Sequence, residues 1–309
     1  MKTLLELHQV SKVYGTHKAL DLVSMQVPAG SVFGLLGPNG AGKTSLLRII
    51  NRITGPDSGE VYFLGERLNA RHSARIGYLP EERGLYKKME VGEQALYLAQ
   101  LKGMSRQEAL RRLKDWFERF EMKDWWKKRI EELSKGMQQK VQFIVTVLHE
   151  PELLVLDEPF TGFDPINAEL IRKELESLQK KGTTILLSTH RMESVESMCS
   201  HIALIDRSKK LLEGPVRDIR AEYRQHIYEL DYSGAEQAIR FDLPSHAVLL
   251  TDVEFEGHRR ARLKLPDELS VNSAVRTVIN NHSLISLREE IPSMQQIFIQ
   301  HVNQNRPHA

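Results

Sequence analysis

The chain has 309 residues, 41% of them hydrophobic and 27% charged, with a formal net charge of +2. That balance excludes a disordered chain and gives no electrostatic case for nucleic-acid binding, and the length suits two domains or one large one. One cysteine, Cys199, excludes an internal disulfide and fits a reducing compartment, and no apolar run approaches the ~18–20 residues that span a bilayer.

The first residues, MKTLLELHQV, lack a long apolar core and a small-residue cleavage site, so they read as a first strand rather than a signal peptide. Residues 32–47 read VFGLLGPNGAGKTSLL. An apolar strand, Val32 to Leu36, runs into Gly37-Pro38-Asn39-Gly40-Ala41-Gly42-Lys43-Thr44 and then into a helix led by Ser45, Leu46 and Leu47. Strand, glycine-rich loop and helix in that order are the setting of a phosphate-binding loop. The glycines let backbone N–H groups turn toward phosphate oxygens, Lys43 can reach the β- and γ-phosphates, and the Thr44 hydroxyl can ligate Mg²⁺.

Val91 to Leu101 reads as a helix, and Ser105 with Glu108 is a capping box for the next. Trp116, Phe117 and Phe120 form an aromatic stripe that suits core packing. Trp125 and Trp126, beside Lys127–Arg129, suit a docking surface or a cap on that core equally. Residues 132–140, ELSKGMQQK, place a polar loop with Gly136 directly before VQFIVTVL, a buried helix whose Val141, Ile144, Val145 and Leu148 share one face. The unpaired N–H groups at such a helix start favour an anion.

LLVLDEP, residues 153–159, suggests a buried parallel strand with Asp157 and Glu158 at its C-terminal end, the edge where open α/β sheets bind ligands. A lone Asp-Glu pair would read as a solvated strand end. Beside a phosphate loop, Asp157 can hold Mg²⁺ and Glu158 can accept a proton from a water attacking the γ-phosphate. TTILLST is a third such strand and ends in His190, placed to meet the γ-phosphate or orient the water. Cys199 suits a small buried hydrophobe. Past Gly214-Pro215 the pattern changes. Strands are expected over 227–231, 248–255 and 260–265, the last two joined at Glu256-Gly257-His258, with a helix over Asp267–Asn281 and a strand near Leu284–Glu289. A last helix, capped by Ser293, holds Ile297, Phe298 and Val302. His258, Arg259 and Arg260 read as a solvated turn and the tail NQNRPHA as frayed.

Together these residues resemble the nucleotide-binding subunit of an ABC transporter, over roughly residues 3–215. GPNGAGKT falls at the Walker A loop, YLPEE (78–82) at the Q-loop, LSKGM (133–137) at the signature loop, LLVLDE at Walker B, GFDP (162–165) at the D-loop and His190 at the switch histidine. Tyr14, in KVYG, matches the aromatic that stacks on adenine, although its chemistry equally suits a strand or core tyrosine. The resemblance implies an α/β, P-loop NTPase fold of ABC type, with a mixed sheet core and a helical subdomain at about 88–145, inside a domain of residues 1–218. A small α+β accessory domain, 219–309, follows. It implies ATP held by Tyr14 and by Gly37, Asn39, Gly40, Ala41, Gly42, Lys43, Thr44 and Ser45. It implies Mg²⁺ on Thr44, Glu81 and Asp157, with Glu158 and His190 catalytic.

The resemblance further implies two subunits, identical or paralogous, sandwiching two nucleotides, so that Ser134 and Gly136 meet the γ-phosphate held by the partner. A separate transmembrane permease is expected, with no nucleic acid, and the chain would lie in the cytoplasm, peripheral on the membrane face. SKGM with LPEERGLY resembles the branch paired with ABC-2 type export permeases. Four residues depart from the usual pattern: Glu81 replaces the Q-loop glutamine, Lys135 a signature glycine, Met137 a signature glutamine and, as a change of packing only, Phe163 the D-loop leucine. The alternative, a soluble ABC-type ATPase acting on ribosomes or nucleic acid, usually carries two ATPase halves or a long coiled-coil insertion, and neither is in this sequence.

Overall fold

A computed structural model of the chain describes residues 2–82, 84–190, 192–234, 239 and 246–304, which divide into two compact units, 1–216 and 217–309. The first unit opens with β1 (Thr3–Tyr14), β2 (His17–Pro28), β3 (Val32–Leu36), α1 (Lys43–Ile50), β4 (Ser58–Phe63), β5 (Glu66–Arg67) and β6 (Ile76–Leu79). It continues through α2 (Val91–Leu101), α3 (Arg106–Arg119), α4 (Lys135–Val147), β7 (Leu153–Asp157), α5 (Pro165–Lys180), β8 (Thr184–Thr189), α6 (Met192–Met198), β9 (His201–Asp206) and β10 (Lys209–Pro215).

The two sheets of this unit follow from their hydrophobic patterns. Along β1, Leu5, Leu7 and Val10 are buried while His8 and Gln9 are exposed, the alternation of a strand with one wet face. It pairs antiparallel with β2 and β4 in a sheet ordered β2-β1-β4-β5. By contrast β3, β7 and β8 are buried at every position, as parallel strands covered on both faces must be. They form the middle of a six-stranded sheet, β10-β9-β3-β8-β7-β6, parallel except for β10. One core lies between the sheets and includes Leu5, Phe33, Leu46, Phe63, Leu153 and Leu186. The C-terminal ends of β3, β7 and β8 therefore share one edge, and this topology sets the site.

Helices α2 to α4 bury a core of their own. The Trp116 and Phe120 rings lie 5.6 Å apart, and Phe120 stacks on Phe143 at 5.9 Å. Trp126 packs edge-on to Phe117 at 5.5 Å, and its indole lies 2.3 Å from where a Cβ on Gly92 would stand. Of the two readings open for Trp126, the structure shows the core cap. The Ser105 hydroxyl accepts from Glu108 N–H at 3.2 Å and starts α3. Cys199 is buried, which pushes its thiol up to about 12.

Val216–Glu222 (α7) leads into the second unit, which holds β11 (Ile227–Gly234), β12 (Val248–Phe255), β13 (His258–Lys264), α8 (Val271–Ile279), β14 (His282–Glu289) and α9 (Met294–Gln304). Its antiparallel sheet is ordered β12-β13-β11-β14 around a core that includes Leu230, Tyr232, Ala261 and Leu263. Two sequence expectations are corrected here. His258, Arg259 and Arg260 are not a solvated turn but the start of β13. The hairpin closes over Glu256 and Gly257 alone (φ +47° and +82°), so Phe255 already pairs with His258. Arg260 is thereby drawn opposite Asp231 and grips it with two bonds of 2.6 and 3.0 Å, while Arg259 bonds Asp252 at 3.0 Å. The Arg260 bonds, with help from Ser286, hold the Asp231 carboxyl down at about 2 against the cost of burial.

The helix expected over Asp267–Asn281 is likewise shorter. A turn from Pro266 C=O to Leu269 N–H precedes it, and the Ser270 hydroxyl caps Asn272 N–H, which delays the start to Val271. Ser293 caps α9 through Gln296 N–H, and Ser293 N–H donates to the Gln296 side chain in return. Of the tail expected to fray, residues 305–309 lie outside the described residues.

Candidate functional site

The loop after β3 is shaped by close backbone contacts. Gly37 and Gly42 adopt φ +151° and +111°, and a Cβ at either would lie 2.1 Å from Ile205 O or 2.2 Å from Ala19 O. Only glycine fits both demands. A Cβ on Gly40 would meet nothing within 4 Å, so that glycine faces open space. Helix α1 begins at Lys43 with no side-chain cap and no acidic residue in its first turn, leaving its N–H groups for a ligand. Lys43 is buried, and its ammonium donates to Gly37 O at 2.8 Å and Pro38 O at 3.1 Å. Burial lowers its pKa from the usual lysine value, while Glu158, Asp157 and Glu81 pull it back up.

Above this loop lies a cleft of about 380 Å³. Asn39, Gly40 and the run from Gly42 to Ser45 line it, together with Tyr14, Glu81, Asp157, Glu158 and His190. Gly37 and the buried Ala41 shape the loop from behind. Asp157 is 2% exposed. Its Oδ1 accepts from the Ser188 hydroxyl, but its buried Oδ2 has no partner among the described residues. A buried carboxylate oxygen left open on the cleft that Thr44 also lines fits a hard cation such as Mg²⁺. The described residues hold no cluster of three or more His, Cys, Asp or Glu side chains that could hold a metal, so a cation here would need phosphate and water to complete its shell.

Glu158 and His190 directly follow β7 and β8, which pair in parallel register, and His190 Nδ1 lies 2.7 Å from Glu158 Oε1. The Glu158 backbone stands at φ +50°, an uncommon conformation for a residue with a side chain, and its N–H is held by Ser188 O and Oγ at 3.2 and 3.1 Å. The chain thus aims Glu158 into the cleft and braces it against an imidazole. That pairing was not legible in the sequence, because it depends on the register of two strands thirty residues apart.

Ser134 and Gly136 do not line this cleft. Ser134 caps α4, its hydroxyl accepting from Met137 N–H at 3.3 Å. Gly136 sits in the first turn without positive φ, and a Cβ there would meet nothing within 4 Å. Nothing among the described residues calls for a glycine at that position. The D-loop residue Asp164 caps α5 through bonds of 3.0 Å from Ile166 and Asn167 N–H, and the Gln139 side chain of α4 donates to Thr161 O. His17, Ala19 and Thr161 also line the cleft, and sequence reasoning did not single them out. The first two arrive through the β1–β2 hairpin, and no local pattern marks them.

A family model described as ABC transporter matches residues 20–161, and one described as "ATP-binding protein DrrA1-3-like, C-terminal domain" matches residues 214–302. The chain is 40% identical over 300 residues to the uncharacterized ABC transporter ATP-binding protein YhaQ of Bacillus subtilis, covering 97% of this chain and 98% of that one. It is 35% identical over 222 residues to Nod factor export ATP-binding protein I of Cupriavidus metallidurans, covering 71% of this chain and 73% of the relative. A solved ATP-binding subunit of an ABC transporter superposes with a TM-score of 0.67 at 32% identity, over 72% of this chain and 93% of that one. The chain therefore belongs to the ATP-binding subunits of ABC transporters, ATPases that energise a separate membrane permease.

Proposed function

We propose that this subunit binds ATP with Mg²⁺ in the cleft above the phosphate loop and that two ATPase subunits close over two nucleotides. Their closing and parting would drive an export permease from the cytoplasmic face of the membrane. Among the described residues no helix is long and apolar enough to cross a membrane, which accords with a separate permease. The similarity to a Nod factor export protein supports export as the direction.

Lys43 and the free N–H groups of α1 would receive the phosphates, and Tyr14, 44% exposed at the rim, would stack on the base. Thr44 and Asp157 would hold Mg²⁺, with Glu81 reaching it or its waters; when bound, the ion would offset charge on the phosphate oxygens. Glu158 would accept the proton of the attacking water. With both ring nitrogens protonated, the His190 Nδ1–H would donate to Glu158 and the Nε2–H to the γ-phosphate. The uncommon Glu158 backbone and the imidazole together limit where that carboxylate can point.

One observation carries the two-subunit reading: Ser134 and the open Gly136 stand outside the cleft, at a helix start suited to an anion that this chain does not supply. A second subunit would bring its nucleotide there. Purified subunit is expected to hydrolyse ATP with a specific activity that rises with protein concentration and to pair in ATP when Glu158 is replaced by Gln. Full turnover at dilutions where no pairing is detectable refutes the reading. Co-purification of a polytopic membrane protein supports the permease; ribosomes or nucleic acid in its place would favour the soluble alternative.

A further inference from the structure

Two unusual charged side chains, Glu81 and Lys135, form no ion pair with the described residues, although Lys43 acts on Glu81 across the cleft. Glu81 lines the cleft with Asp157 and Glu158, so three carboxylates face one ammonium, that of Lys43. Among the described residues the Glu81 carboxylate makes no hydrogen bond or ion pair. Lys135 is the first residue of α4 and is exposed, and its ammonium likewise has no partner among them. A cation at a helix N-terminus opposes the helix dipole, and α4 has no acidic residue in its first turn to offset it. Lys135 is therefore unfavourably placed in the chain by itself, as Glu81 is in a cleft that must accept a polyanion.

We propose that Lys135 of one subunit pairs with Glu81 of a second copy across the closed interface, so that the two unusual charges neutralise each other in each composite site. The inference rests on the two-subunit reading above. In that arrangement α4 of one copy points its start at the cleft of the other, and Lys135 stands between Ser134 and Gly136, the residues that would approach the nucleotide. The pair lets the site gain a carboxylate without repelling the phosphates. Its two oxygens allow Glu81 to face a metal-bound water and the ammonium together. It also selects partners, because a copy with a neutral residue at position 135 would leave Glu81 uncompensated.

The test uses full-length chains carrying Glu158→Gln, with pairing in ATP and Mg²⁺ followed by sedimentation velocity. Glu81→Lys and Lys135→Glu are each expected to weaken pairing at least about tenfold, since each homodimer places like charges opposite one another. An equimolar mixture of the two is expected to regain most of the parent affinity, because both composite sites then hold one cation and one anion. A mixture that pairs no better than its components overturns the proposal, and rescue only by both changes in one chain places the pair within a subunit and overturns it too. If the parent itself does not pair in ATP, the two-subunit reading fails first. Should a reversed chain not fold, Glu81→Gln and Lys135→Met form a double-mutant cycle, in which coupling below about twofold overturns the pair.

Discussion

Replacing Glu158 with Gln changes one atom and leaves its supports standing. The new amide oxygen can still accept from His190 Nδ1–H, and the backbone N–H keeps its bonds to Ser188 O and Oγ. Side-chain volume is conserved, so no cavity forms and ATP binding is expected to survive. The amide, however, cannot take a proton from water. A positioned base contributes about 10²–10⁴-fold to a rate, or about 3–5 kcal/mol of the barrier, and the whole loss should fall on kcat. The assay is phosphate release at saturating ATP and Mg²⁺, with nucleotide affinity measured separately. The expected result is that loss in kcat with Kd within about twofold of the parent. Turnover within about threefold of the parent would falsify the base assignment, and a matching loss of affinity would show that Glu158 acts in binding.

Other substitutions test the loop, the signature helix and the fold. Gly42→Ala places a Cβ 2.2 Å from Ala19 O at φ +111°, so nucleotide binding should fall below detection by fluorescence titration even if the chain still folds. Gly136→Ala should do the reverse: the site is open and helical, so the single chain gains up to about 1 kcal/mol of stability in denaturant while pairing in ATP weakens. A Gly136→Ala subunit that pairs as well as its parent would remove the case for a close approach there. His149 is held down at about 4, first by burial and then by Lys102 and Arg112, against an ordinary value of 6.5. The folded chain therefore resists a proton that the unfolded chain accepts. Stability should be full above about pH 6.5 and decline by at most about 3 kcal/mol as pH falls toward 4. His149→Gln should flatten that slope in denaturant titrations at several pH values, and an unchanged slope would assign the acid sensitivity elsewhere.

Much of this site was readable from local chemistry. The phosphate loop is contiguous, and its glycines sit where the backbone leaves no room for a Cβ or turns to positive φ, so the motif carries its own geometry. The buried strands β3, β7 and β8 announced themselves as unbroken apolar runs. The second unit was less legible. His258, Arg259 and Arg260 look like a wet turn in sequence because their counter-charges, Asp231 and Asp252, lie on other strands, 29 residues back from Arg260 and 7 back from Arg259. The apolar pattern runs longer than α8 for a local reason, a turn and a serine cap that such a pattern does not register. Trp126 could be placed only once Gly92 was seen to leave room for its indole.

The amino-acid sequence by itself determined what must be near what along the chain: a loop that cradles phosphate, a helix start that favours an anion, and carboxylates at the ends of apolar strands. Those follow from backbone sterics, unpaired N–H groups and hydrophobic period, which are local. Only the tertiary structure decided that Glu158 and His190 meet, that one buried Asp157 oxygen has no partner among the described residues, and that Ser134 and Gly136 stand outside the cleft. Each of these depends on strand register and on packing between segments far apart in the chain, where the distance between two side chains is set by the sheet and the core rather than by the residues themselves.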